Sequence, residues 1–168
     1  MNKIILKNIL CPLLFLAFST KCLRAETKNI NVIDTIKPIL IPAGTEIFKI
    51  CEELPRFPAC DKLPEKTKNE LEVCASEEMV KFINANLVYP PIAKENGVTG
   101  LAIVRFVVTN TGELASIQLV RDPGLEMGKA AMDVFHLMNL NGIKWIPAKQ
   151  GGVTVYCQKI VPVHFKLP

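Results

Sequence analysis

Residues 101–121 read LAIVRFVVTNTGELASIQLVR, and this stretch decides the fold. Residues 101–109 are rich in β-branched and aromatic side chains, which suit a pleated, half-buried surface. Asn110-Thr111-Gly112 then supplies a turn, and Leu114–Arg121 resumes a strand. Two strand-like runs around a short glycine-containing loop predict a β-hairpin.

Helical patterns flank the hairpin. Upstream, Ser76 is a suitable N-cap, with Glu77 and Glu78 in a first turn where the helix dipole favours acids. Met79, Phe82, Ile83 and Leu87 follow as an apolar stripe until Tyr89-Pro90-Pro91 breaks it. Pro91 opens a further short turn of helix that ends at Gly97. Downstream, Ala130, Ala131, Val134, Phe135 and Met138 mark a second amphipathic helix over residues 126–139. After Asn141-Gly142, Trp145, Pro147 and the pair Gly151-Gly152 comes a long closing strand. Val153, Val155, Cys157, Val161, Val163, Phe165 and Leu167 share one face; Thr154, Gln158, His164 and Lys166 share the other. The order predicts an α+β domain over residues 76–168, with a small three-stranded antiparallel sheet and two helices packed on one face. Such a sheet keeps at least one open edge. Pro162 nominates the closing strand, because proline cannot donate to a ladder and is confined to edges or bulges.

Residues 26–75 form an extended lead-in that carries Pro38, Pro42, Pro55, Pro58 and Pro64. Further out, residues 9–18 (ILCPLLFLAF) are apolar and follow a short positive segment with Lys3 and Lys7. A membrane span needs roughly 20 apolar residues, so this run fits the h-region of a secretory signal. Cleavage after Ala25 leaves four cysteines and cleavage after Ser19 leaves five, and an uncleaved short membrane anchor is the alternative. The chain holds 20 Lys+Arg and 16 Asp+Glu; four of the basic residues and none of the acidic ones precede Glu26, so the remainder is 16 against 16. A balanced mature chain gives no reason to expect a nucleic-acid partner.

Export implies an oxidising compartment, where cysteines default to disulfides. Cys51, Cys60, Cys74 and Cys157 allow three pairings. Cys60 and Cys74 flank a charged, turn-prone stretch that could close as a loop of about 15 residues, stabilising by roughly 3 kcal/mol in the chain-entropy picture. Zinc fits poorly, since no C-x-x-C pair occurs and His136 and His164 lie far off in sequence. Cys157 on an apolar strand face also reads as a buried thiol. No G-x-S-x-G, H-E-x-x-H or phosphate-cradling loop is present, so neither an enzyme nor a cofactor is expected; an exported Cys-dependent enzyme stands as an alternative.

The punctuation as a whole resembles the C-terminal domain of TonB-family proteins, particularly the forms found in Bacteroidota. It comprises Tyr89-Pro90, Ala93, Gly97, Gly100, the strand Val104-Arg105-Phe106-Val107, Gly112, Ala130-Ala131, Trp145, Pro147, the glycine pair, and Pro162 to Phe165. Upstream, Glu53-Leu54-Pro55-Arg56-Phe57-Pro58 looks like the lead-in that often precedes this domain. The resemblance implies a periplasmic binding module that engages outer-membrane transporters when a transporter segment adds as a strand to the sheet edge. On this chain the contact is expected along Gly152, Val153, Thr154, Val155, Tyr156, Cys157, Gln158 and Lys159, before Pro162 removes a donor. The alternative is that residues 26–75 or a second copy in a homodimer cover this strand. Tyr89 and Trp145 are expected as core or hinge residues. A full energy transducer would keep its N-terminal run in the inner membrane and meet motor subunits there; the short apolar run and the missing stiff spacer depart from that pattern.

Overall fold

The hairpin is built as its side chains demand. In the computed structural model, which describes residues 38–60 and 67–167, β2 (Gly100–Val108) and β3 (Leu114–Arg121) pair antiparallel. The segment read as an export signal, residues 1–25, lies outside the described residues. Ala102, Val104, Phe106 and Val108 alternate into the core along β2 and are fully buried. Gly112 in the turn has φ 82°, and a Cβ there would lie 2.1 Å from the Trp145 carbonyl oxygen. Only glycine fits that approach, which lets the Trp145 amide donate to the Gly112 carbonyl at 2.8 Å.

α3 (Met127–Leu140) covers this hairpin with Met127, Ala131, Val134, Phe135 and Met138 buried; Phe135 meets Phe106 at 5.0 Å between centroids. Asn139 ties the helix end to the turn, donating to the Leu114 carbonyl at 2.7 Å and accepting from the Leu114 amide at 3.0 Å. α1 (Lys68–Asn86) adds Ala75, Met79 and Ile83 to the same core, and α2 (Pro91–Glu95) is a single short turn. α1 starts earlier than the Ser76 cap predicts. Thr67 caps it, accepting from the Glu70 amide at 3.4 Å while its own amide donates to the Glu70 carboxylate at 2.7 Å. This reciprocal pair is a capping box. Ser76 instead sits within the helix and donates back to the Glu72 carbonyl at 2.8 Å.

Among the described residues the sheet has five strands, not three. β5 (Val153–Phe165) runs antiparallel to β2 from Cys157 opposite Val108 to Phe165 opposite Gly100. Two short strands, β1 (Ile47–Phe48) and β4 (Ala148–Gln150), also pair with β5. Both fall below the four to eight residues that a period-two pattern needs to be visible. β4 and β5 form a tight hairpin on Gly151 and Gly152, with φ 57° and 78°, the left-handed pair that suits the twist of flanking strands.

Candidate functional site

β5 is the element with a question attached, because its strand partners change along its length. Val153, Thr154 and Val155 pair with β4, while Tyr156 and Cys157 lie opposite Ile47 and Phe48 of β1. Residues 158–165 pair with β2 alone among the described residues. Beside the end of this uncovered stretch runs a groove of about 440 Å³. Val80, Ile83 and Asn84 of α1 with its C-cap Leu87 form one wall, and Tyr89 with Pro162 to Lys166 forms the other. Val80 is 49% exposed on the helix wall, and Ile160, 53% exposed, lies further back along the strand.

The lead-in packs against the β4–β5 end of the sheet and adds a strand to β5 at Tyr156 and Cys157. Phe57 is buried with its ring 5.8 Å from Phe82 and 5.8 Å, edge-on, from Trp145. On either side the backbone adds to the segment around β4. Glu53 and Lys149 exchange hydrogen bonds at 3.1 and 3.0 Å, and Arg56 and Ile146 do so at 3.1 and 2.9 Å. Glu52 closes the arrangement, accepting from the Gly151 amide at 3.0 Å and from the Gln150 side chain at 3.1 Å. Cys60, at the end of the lead-in, is disulfide-bonded to Cys74 of α1 with their Cα atoms 6.2 Å apart. The lead-in therefore supplies core and strand, not just a tether.

Of the strand residues expected to meet a partner, Gly152 occupies the turn, Val153 to Val155 pair with β4, Tyr156 and Cys157 have β1 beside them, and Gln158 and Lys159 pair with β2. Lys159 is also engaged. Its ammonium donates to the Pro55 carbonyl at 3.1 Å and lies 5.9 Å from the centre of the Trp145 ring. Burial pushes its pKa below the ordinary lysine value. This internal role was invisible in a strand read by alternation, although the Pro55-x-Phe57 lead-in and Trp145 were both visible as landmarks. Tyr89 and Trp145 are structural: Tyr89 donates its hydroxyl to the Val98 carbonyl and stacks edge-on against Phe165 at 5.5 Å, and Trp145 is 2% exposed. Pro90 is buried before α2, and a Cβ on Gly100 would press on Pro123 at 2.6 Å. Gly97 ends α2 with φ 64°, and Pro147 leads into β4.

The titratable groups are poorly disposed for nucleophilic work. Burial first, and then the neighbouring Cys51, push the Cys157 thiol up to about 12. Asp133 and His136, one turn apart on α3, are shifted towards their neutral forms chiefly by burial, Asp133 upward and His136 downward. Among the described residues, no group of three or more His, Cys, Asp and Glu could hold a metal ion. No helix among them is long and apolar enough to cross a membrane.

These features define a class of domain: α+β, built on a hairpin and a long closing strand whose residues 158–165 pair, among the described residues, with β2 alone. A family model described as Gram-negative bacterial TonB protein C-terminal matches residues 85–167. That segment belongs to the TonB C-terminal family, a family of binding and transport domains and not of enzymes. Among solved structures, a Helicobacter pylori TonB C-terminal domain in solution is 19% identical over 54% of this chain and 91% of that one, with TM-score 0.38. A longer form of the same domain is 18% identical over 62% and 89%, with TM-score 0.37. The Pseudomonas aeruginosa domain is 24% identical over 48% and 77%, with TM-score 0.34. No curated protein matches the chain.

Proposed function

We propose that this chain is a periplasmic, TonB-like binding module that engages outer-membrane transporters by strand addition to β5. The observation that carries the reading is the stretch 158–165, which among the described residues pairs with β2 alone and runs towards a groove beside α1. An edge of this kind offers main-chain partners with little sequence demand, while the groove selects side chains at alternate positions of the guest. The proposed contact is residues 158–165, beyond Tyr156 and Cys157, where β1 already lies. Removal of the N-terminal run on export would leave the module free in the periplasm; the mass of the native N-terminus tests that step separately.

The direct experiment titrates the full chain with synthetic peptides copying the N-terminal segments of outer-membrane transporters from the same genome. Amide shifts are expected to concentrate on residues 158–166 and on the α1 wall. N-methylation of alternate peptide amides is expected to abolish binding in one register and spare it in the other, because only one set faces the sheet. Binding that is indifferent to N-methylation in both registers, or shifts confined to the opposite edge at β3, would overturn the assignment.

A further inference from the structure

Beneath β1 and β4 lies a second, smaller core of Cys51, Ala148 and Cys157, with Phe48 and Val155 against it. Within it the Cys51 thiol points at Cys157, sulfur to sulfur, at 2.9 Å. Carbon atoms, smaller than sulfur, pack at about 3.5–4.0 Å, so two unbonded thiols are crowded here. The gap is about 0.9 Å longer than an S–S bond of ~2.05 Å, a distance that small side-chain rotations close. The backbone around both residues is held. Phe48 lies opposite Cys157 in the β1–β5 ladder, Glu53 bridges to Lys149 on the far side of Cys51, and Cys157 is itself paired with Val108. The approach therefore follows from the fold and not from two mobile side chains drifting together. The other neighbour of the Cys157 sulfur is the Gln158 carbonyl at 3.7 Å, and no metal-ligating cluster competes for the pair among the described residues.

We infer that Cys51 and Cys157 form a second disulfide of the protein, which fastens the lead-in to β5. The inference rests on the export reading for its oxidant, a thiol–disulfide oxidoreductase in its disulfide form. Cys51 is the entry point, being 9% exposed where Cys157 is wholly buried. Its thiolate attacks one oxidant sulfur, breaking the oxidant's S–S bond and forming a mixed disulfide. Cys157 then loses its proton to water and attacks the Cys51 sulfur, expelling the second thiolate. Two electrons pass to the oxidant, which takes up two protons and leaves as a dithiol. Burial makes deprotonation of Cys157 the slow step. Once closed, the link keeps β1 from yielding its place beside Tyr156 and Cys157 to a guest strand.

The test equilibrates the full chain in a glutathione buffer that closes Cys60–Cys74, blocks free thiols with N-ethylmaleimide in denaturant, and maps non-reduced peptides by mass spectrometry. A Cys51–Cys157 linked pair is expected beside the Cys60–Cys74 pair. In Cys51→Ser, Cys157 should become fully alkylated and amide exchange over residues 47–53 should quicken at least ten-fold, with β2 unchanged. Alkylation of both thiols in molecules whose Cys60–Cys74 bond is closed overturns the inference, as does linkage of either to Cys11 or Cys22. Unchanged exchange in both Cys51→Ser and Cys51→Val overturns the fastening role. Because the oxidant is supplied in vitro, these outcomes do not depend on export, whose failure would appear in the native N-terminal mass instead.

Discussion

Replacing Phe57 with alanine tests whether the lead-in is part of the folded unit. Phe57 is 8% exposed and holds two ring contacts, with Phe82 and Trp145, both at 5.8 Å. Phe→Ala changes in cores cost about 3–5 kcal/mol, the upper values belonging to sites that cannot relax or hydrate. Phe57 borders a shallow cavity of about 190 Å³ shared with Ala75, Met79 and Trp145. Water can reach the space left behind, so the cavity contribution is small and a loss near 3 kcal/mol is expected. With a urea m-value of about 1–3 kcal/mol/M, the unfolding midpoint should fall by roughly 1–3 M at unchanged m. Leu54→Ala is the control: Leu54 is 45% exposed, and its change should stay within about 0.5 kcal/mol. Equilibrium urea unfolding, followed by both Trp145 fluorescence and circular dichroism, reads the result. A loss below about 1 kcal/mol, or two separated transitions, would show that the lead-in folds apart from the sheet and would refute its covering role on β5.

Gly112→Ala forces a left-handed φ at about 1–2 kcal/mol and drives a methyl into the Trp145 carbonyl, so a loss above about 2 kcal/mol is expected in thermal unfolding. Gly97→Ala, where a Cβ meets nothing within 4 Å, should lose only the conformational part. Asn139→Ala leaves the Leu114 amide and carbonyl without their side-chain partner, and urea unfolding should register about 1–3 kcal/mol. Lys159 has its folded pKa below the ordinary 10.5, so between those values the unfolded chain binds more protons. Wild-type stability should therefore rise as pH climbs from the folded pKa towards 10.5, and Lys159→Met should lack that rise in stability measured against pH.

The elements legible in the sequence are those long enough to repeat a period. β2 and α3 show their buried faces directly, as does β5 through Cys157, Val161, Val163 and Phe165, because each side chain reports its own environment. β1 and β4 do not, since two or three residues carry no period and their pairing depends on a distant partner. The start of α1 was readable in principle: Thr67-x-x-Glu70 is a capping signature, masked by the turn-prone reading of the stretch between Cys60 and Cys74. The division of the β5 edge could not be read locally at all. It depends on where Phe57 docks between Phe82 and Trp145, a contact that spans most of the domain in sequence.

That division also sets how tightly a guest strand can bind. A ladder tolerates Pro162 opposite Ile103 only if the missing donor faces away from β2, which places the Gln158, Ile160 and His164 amides on the uncovered side as well. A guest therefore finds donors at those positions and none at Pro162. Each main-chain bond contributes a net of about 0.5–1.5 kcal/mol, while association alone costs about 4–15 kcal/mol. Main-chain pairing along so short a stretch does not cover that cost with much to spare. Measurable affinity has to come from guest side chains entering the groove between α1 and the end of β5. Filling that groove with Asn84→Trp should then weaken peptide capture at least as much as removing a ladder donor with Ile160→Pro. If Asn84→Trp leaves capture unchanged while Ile160→Pro abolishes it, and both variants unfold at the wild-type midpoint, the groove has no part in recognition.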